Sequence, residues 1–470
     1  MVRGSIRGCC WGRMGNLVRW VSCAALLASL LMRPAAVPAA EEQRPSDEDL
    51  FGGGTGAEMA PAAAPVEGSA GEAPAATERL RERTPPPNLT EERLKDFLKD
   101  YLQIGGLLYF RTLTSFQEDT RASHTPFSSP LLSDFYLDAR ASDRVRGFWS
   151  GRLNLDPTEK NAETDFVQNE LWIRTDIAKR LFIQMGKQHI KWGTGTIWNP
   201  TDFLQPDRLD PLDPFDFRVG VDMVKFHYPV EDLGMNFYGF TLFEKAERLD
   251  HIGTAFRGEF VLGTGEYGVD FVVPPGGGGP RGGVDYSAGV GPLDVYGEVA
   301  LLDGHDVKVV DETSPGTFEV HRAEGLEAHT VAGIKWATRL REEDPFDIGV
   351  EYFYNSLGYT DTDVYSTLQQ SGLFQTFYVG KQYAALYAGL EGPGSWNDMS
   401  LNLFNIANIS DQSFITQLNV AYVIQTNLSF EVQGGVHYGD RAGEYRLSTD
   451  MDNADARPVF DLGIRFRLKI

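Results

Sequence analysis

The sequence predicts an all-β fold: a transmembrane, antiparallel, up-and-down β-barrel of about 18 strands, sixteen being the alternative count. An N-terminal disordered tether and one short helix precede it. Three observations carry that expectation. The chain ends in an unbroken apolar–polar alternation, its hydrophobic segments are joined by links that are short and long in turn, and it begins with an export leader.

The last residues, Phe460 to Ile470, read FDLGIRFRLKI. Phe460, Leu462, Ile464, Phe466, Leu468 and Ile470 fall on one face of an extended strand, and Asp461, Gly463, Arg465, Arg467 and Lys469 on the other. A soluble sandwich strand rarely closes a chain with three cations on its inward face. A strand between lipid and a water-filled lumen needs that division. The expected compartment is therefore the bacterial outer membrane.

The leader agrees. Arg3, Arg7, Arg13 and Arg19 precede an apolar run from about Val21 to Met32 and a small-residue stretch, Pro34 to Ala40. Residues 1–40 read as a signal peptide cleaved after Ala39 or Ala40, because the run is too short to span a bilayer as a helix. Cys23 stands at the start of that run, with Trp20 where a lipoprotein signal prefers Leu, so no lipid anchor is expected. All three cysteines lie in the leader, which rules out disulfides and thiolate metal sites in the mature chain. Removing the leader's five arginines takes the formal charge from −23 to −28, an unfavourable balance for a nucleic-acid partner. No cofactor and no metal site are expected.

Residues 41–88 are rich in Ala, Pro, Gly and Glu without hydrophobic period, and read as a disordered periplasmic tether. A short amphipathic helix is expected over 89–101. Asn88 and Glu91 form its capping box, and Leu94, Phe97, Leu98 and Tyr101 line one face.

The barrel is expected over 102–470. Short links fall near Ser142–Arg144, Ala178–Arg180, Pro229–Asp232, Gly263–Gly265, Gly291–Pro292, Arg341–Pro345, Gly392–Trp396 and Gln425–Asn427. Between them lie Gln117–Leu131, Asp156–Thr164, Gly193–Phe217, Ala246–Ile252, Gly276–Gly283, Gly304–Ala328, Gly358–Val379, Ala407–Ser413 and Asp440–Pro458. Short turns at one end and longer loops at the other are the asymmetry of an outer-membrane barrel, and an even strand count puts both termini at the short-turn, periplasmic end.

Alternation sets the phase of several strands. Phe135, Leu137 and Ala139 are assigned to lipid and Tyr136, Asp138 and Arg140 to the lumen. Val145, Trp149 and Leu153 face out; Arg146, Ser150, Arg152 and Asn154 face in. Leu171 and Ile173 face out; Glu170, Trp172, Arg174 and Asp176 face in. In the next strand Lys187, His189 and Lys191 share one face and Gln184 and Gln188 the other, and the cationic set is assigned inward. Later inward sets are Lys335 and Arg339, Asp347 and Glu351, and Glu431, Gln433 and His437. A charge on the lipid face at mid-bilayer costs about 2–4 kcal/mol, which is what fixes the phase.

These sets place a basic wall in the lumen: Arg140, Arg146, Arg152, Arg174, Lys187 and Lys191. The third long loop is the opposite. It carries Asp202, Asp207, Asp210, Asp213 and Asp216, interleaved with prolines and with Phe203, Leu204, Leu209, Leu212, Phe215 and Phe217. A merely exposed loop does not need apolar residues at that density, so it is expected to pack into the barrel, stiffened by its prolines.

The segment Gly186-Lys187-Gln188, Trp192-Gly193 and Trp198-Asn199-Pro200-Thr201-Asp202 is similar to an element of large Gram-negative porin-like barrels. An acidic inward loop facing a basic wall resembles the constriction loop of porins. The resemblance implies diffusion of small polar or charged solutes through a transverse field. Asp461-x-Gly463-x-x-Phe466-x-Leu468, ending at Ile470, resembles the signal read by the barrel assembly machinery, although porins usually end on an aromatic residue. The expected partners are thus outer-membrane lipid, that machinery and small polar solutes, with homo-oligomerisation left open.

Three other function classes stand beside the channel, one of them a structural or adhesive barrel with a filled lumen. An outer-membrane enzyme needs a nucleophile with its base, and the eight scattered histidines show no such pattern. An export or envelope-assembly component would use the tether and helix to dock a periplasmic partner.

Overall fold

Alternating side chains along nearly every segment from Leu102 onward give strands with one apolar and one polar face, and a single sheet of such strands satisfies both faces by closing on itself. The computed structural model describes residues 101–470 except 119–124, 159–163, 206, 214–217, 315, 342 and 449–455. The signal peptide, the tether and all but the last residue of the expected helix lie outside the described residues.

The strands are β1 (Leu102–Gln117), β2 (Phe127–Ser128), β3 (Leu131–Ser142), β4 (Val145–Leu155), β5 (Asp165–Ile177), β6 (Leu181–Gln188) and β7 (Val221–Val230). Then follow β8 (Met235–Leu242), β9 (Gly253–Leu262), β10 (Gly265–Val273), β11 (Arg281–Val290), β12 (Leu293–Asp303), β13 (Lys308–Ser314) and β14 (Thr317–Arg322). The chain closes with β15 (Leu326–Leu340), β16 (Asp344–Asn355), β17 (Gln382–Glu391), β18 (Met399–Asn408), β19 (Ser413–Gln425), β20 (Leu428–Gly439) and β21 (Pro458–Lys469). Two-residue β2 only supplements β1 at Leu113 and Thr114, and β13–β14 is a separate hairpin. The other 18 strands form the barrel, each antiparallel to its chain neighbour. Closure runs from Leu107 opposite Lys469 to Gln117 opposite Pro458.

The connections alternate as expected. Tight turns such as 143–144, 263–264 and 426–427 lie at one end, together with Leu102 and Ile470. The other end carries the long loops: L3 (189–220), L6 (304–325, including the β13–β14 hairpin), L7 (356–381, with a helix at Tyr365–Gln370), the short L8 (409–412) and L9 (440–457).

The outer face is apolar and exposed, as in Phe135, Leu171, Ile173, Leu403, Leu418 and Ile464. On β21, Phe460, Leu462, Ile464, Phe466 and Ile470 are exposed while Arg465 is buried inward. One phase differs from expectation. Lys187 pairs with Leu171 and Asp222, and cross-strand partners share a face, so Lys187 points outward. Gln184 and Gln188 are the buried, inward residues of β6, and Met185 is exposed beside Ile173. Leu181, Ile183 and Met185 alternate on the face of Lys187 and mark it as the lipid side, and the Lys187–Asp222 rung sits at the loop end of its hairpin. Lys191 follows the strand and is exposed, outside the barrel wall altogether.

Candidate functional site: the loop folded into the barrel

L3 is built from the residues that set it apart in the sequence. Its first part packs Trp192 edge-on to Phe240 of β8 at 5.4 Å. Trp192 and Leu204 close a buried cluster with Val221, Met223, Leu242, Ala255 and Val272. Trp192 N donates to Asp202 Oδ1 at 3.2 Å, and Arg218 Nη1 donates to Asp202 Oδ2 at 2.9 Å, tying the two ends of the loop together. Burial pushes the Asp202 carboxyl up, and the Arg218 guanidinium opposes that shift.

Two carboxylates on the far wall then catch the loop backbone. Glu298 of β12 accepts the N–H groups of Thr194 (2.6 Å), Gly195 (2.7 Å) and Thr201 (3.1 Å), and the Thr201 hydroxyl (2.8 Å). Glu351 of β16 accepts the N–H groups of Thr196 (2.8 Å), Ile197 (3.1 Å) and Trp198 (2.8 Å), and the Tyr296 hydroxyl (2.8 Å). Tyr296 and Tyr387 converge there because each ring lies over a glycine, Gly333 and Gly349, where a Cβ would overlap it. Each carboxylate accepts from several donors at once, which offsets part of the cost of its desolvation.

Trp198 is fully buried, 5.4 Å from the Phe353 ring and 5.6 Å from Tyr383, and its indole N–H donates to Phe377 O at 3.0 Å. It centres a core inside the barrel with Ile197, Leu212, Tyr296, Val331, Ile406 and Ile415. The second half of L3 continues along this side and reaches β1 at Asp213. Tyr378 Oη donates to Leu209 O (3.0 Å), Gln417 Nε2 donates to Leu212 O (3.0 Å), and Arg111 of β1 meets Asp213 at 3.4 Å. A closed barrel of 18 lipid-faced strands, crossed inside by its own third long loop, decides the architecture. By fold, the chain is a closed 18-strand antiparallel up-and-down β-barrel with its third long loop folded inside.

Solved barrels resemble it at low identity. It is similar to OccK11 (OpdR) of Pseudomonas aeruginosa at 10% identity over 79% of this chain and 96% of that one, with a TM-score of 0.47. It is similar to OccAB3 of Acinetobacter baumannii at 8% identity over 78% and 99%, with a TM-score of 0.49. A triple mutant of the Rhodopseudomonas blastica porin matches at 10% identity over 78% and 100%, with a TM-score of 0.41. No family model and no curated protein matches the sequence.

Within this barrel the expected wall residues are divided. Arg140 and Arg146 both bond Asp138, at 3.1 and 2.8 Å, and Arg152 bonds Asp134 at 2.7 Å, so these cations are paired along the wall itself. Arg174 lies opposite Gln184, on the inward face. Lys187 and Lys191 are not on the wall. Of the loop acids, Asp202 is buried against Arg218, Asp213 meets Arg111, Asp207 and Asp210 are exposed, and Asp216 lies outside the described residues. Gly463 faces inward between Leu113 and Gln433, while Phe466, 5.0 Å from Phe430, Leu468 and Ile470 face out. Arg111, Arg218, Tyr296 and Glu298 were not singled out in the sequence. The alternation of β12 does put Tyr296 and Glu298 on one face, but nothing local says that a loop about a hundred residues away needs them.

The long loops cover each other above L3. Val310 N donates to Tyr359 Oη at 2.8 Å, joining L6 to L7. Glu444 of L9 accepts the Tyr383 hydroxyl (2.8 Å), the Asn408 amide (2.8 Å) and the Phe377 N–H, and Asp411 of L8 accepts the Tyr365 hydroxyl (2.9 Å) and Glu444 N (2.7 Å). Burial lifts the Glu444 carboxyl to about 8 despite the bond from Tyr383.

Proposed function

We propose that the chain is a diffusion channel of the outer membrane, passing small polar or charged solutes along an off-centre water path between L3 and the wall of β3, β4 and β5. One observation carries this reading. On the β12–β19 side the inward residues are a dry core of Tyr296, Phe353, Tyr383, Ile406 and Ile415 with Trp198 of L3. On the β3–β5 side the inward residues are charged and partly wet, with side-chain exposures of 52% for Arg140, 28% for Arg146 and 27% for Asp134. A barrel filled as a plug would bury both sides alike. Loop and wall each carry both signs of charge, so the field across the path is local to individual pairs, with Asp207 and Asp210 on the loop side. The leader delivers the chain to the periplasm, and the assembly machinery takes hold of the closing strand at Gly463, Phe466, Leu468 and Ile470. The test is single-channel recording of the mature chain in a planar bilayer under a salt gradient. Discrete open steps with a defined reversal potential are expected. An inserted, folded chain that stays silent would overturn the proposal.

A further inference from the structure

The β13–β14 hairpin of L6 stands apart from the barrel sheet, and its β14 edge is open. Val310 N donates away from the hairpin, to Tyr359 Oη at 2.8 Å, whereas Ala323 N donates across it to Val307 O at 2.9 Å. Hydrogen-bonded and non-bonded pairs alternate along an antiparallel ladder. Val310 with Val320 is therefore a non-bonded pair, as is Glu312 with Phe318 two residues on. The backbone N–H and C=O groups of Phe318 and Val320 thus point away from β13, and they have no partner among the described residues. At the next such position Arg322 O already accepts from His321 Nδ1 at 2.9 Å.

The two faces of this edge differ. Phe318 packs with Val310 on the buried L7 cluster of Tyr365, Leu368 and Val379, and Val320 follows on the same face at 44% exposure. The other face carries Glu319 in register with Asp311, and His321, whose Nε2 donates to Asp311 at 2.6 Å. Glu319 is exposed and has no charge partner among the described residues. Sheet edges are commonly blunted by lysine, proline or a covering element, and Thr317–Arg322 contains no lysine or proline. Side chains alternate along a strand, so an added strand would set apolar residues beside Phe318 and Val320 and cations beside Glu319 and Asp311. A second copy of the chain is a poor fit, because β14 against β14 gathers carboxylates on one face. We infer that the open edge of β14 is a docking site for an extended polypeptide of alternating apolar and basic residues, bound by strand addition. Its partner arrives from the side of the membrane that the long loops face. The inference stands whether or not the chain conducts.

Fluorescence anisotropy tests it, with the folded mature chain in neutral detergent and a labelled peptide of alternating lysine and valine. Saturable binding is expected. Val320→Pro removes an edge N–H that β13 does not use, a change an edge strand tolerates, and should weaken binding roughly tenfold. Val320→Thr keeps the N–H and the β-branched shape and should bind as wild type does. The same peptide N-methylated throughout keeps its charge but cannot pair as a strand, and should not bind wild type. Absence of saturable binding, equal binding of the N-methylated peptide, or Val320→Pro indistinguishable from wild type overturns the inference. Peptide-independent dimers that Val320→Pro dissolves would also overturn it, assigning the edge to a second copy.

Discussion

The backbone N–H of Trp198 donates a 2.8 Å hydrogen bond to the carboxylate of Glu351, joining the buried point of L3 to the far wall of the barrel. Thr196 and Ile197 donate to the same carboxylate, and Glu351 is completely buried. Bonds to a charged group contribute about 1.5–3 kcal/mol each, and an acceptor removed leaves several buried donors unmet.

Glu351→Ala is therefore expected to release L3 while the 18-strand ladder stays intact. Single-channel records should show larger open conductance and more open-state noise, and Glu351→Gln, which keeps an acceptor oxygen, should fall between the two. Records indistinguishable from wild type would mean that L3 is held elsewhere.

Trp198→Ala removes the largest side chain of the internal core. A cost of about 3–5 kcal/mol to loop packing is expected. Limited proteolysis of intact vesicles should show L3 cut sooner than in wild type, with the barrel itself protected. Equal cleavage rates would show that the indole is dispensable.

The selectivity of the path is open to charge removal. Changing Asp207, Asp210 and Asp213 together to Asn deletes two exposed acids and strips Arg111 of its partner. The reversal potential under a salt gradient should move toward anions. An unmoved potential would take this half of L3 out of the conducting path.

The covering loops should respond to pH through Glu444. Its carboxyl ordinarily titrates at 4.5 and is lifted by burial to about 8. The folded loops thus hold the proton more tightly than the open form. The lock is strongest below the ordinary value, weakens as pH rises toward about 8, and changes little beyond that. Each pH unit in the window removes at most about 1.4 kcal/mol. The groups facing it, Asp411, Tyr365, Tyr383 and Tyr445, add no cation. Protease sensitivity of L9, followed from about pH 5 to about pH 9, should rise in wild type and stay flat in Glu444→Gln. A parallel rise in both would assign the effect to another group.

A last prediction concerns the lipid face. Ile464 lies midway along β21 and points outward, so Ile464→Arg should cost about 2–4 kcal/mol. Urea titration of the folded barrel in vesicles should show it as a lowered midpoint, and an unchanged midpoint would contradict the phase of the strand.

The residues that were legible are those whose placement follows from local pattern. Val145–Leu155 is β4 as read, and turns 143–144 and 178–180 fall where Asp, Arg and Lys interrupt alternation. The apolar density of Trp192 to Leu212 signalled packing, and Trp198 and Leu212 are indeed buried in the barrel. What was not legible depends on partners distant in the chain or on rotamer. Asp138 was correctly set on the inward face beside Arg140, yet alternation gives a face and not a direction, so its pairing with Arg140 and Arg146 was invisible. Glu298 reaches Thr194 across 104 residues of sequence. Lys187 was set inward because the cations Lys187 and Lys191 were given more weight than the alternation of Leu181, Ile183 and Met185, which marks that face as the lipid side.

Ile470 exchanges both backbone hydrogen bonds with Gly106, and β21 lies in register along most of β1. The two strands therefore complete one another, and until they pair the sheet keeps a raw edge on each of them. Contacts between chain ends are the slowest to form, and an unpaired edge in the periplasm is a template for the wrong neighbour. The seam between β1 and β21 thus makes the birth of this protein all-or-nothing: a chain truncated by even one strand is predisposed to join another molecule instead of itself.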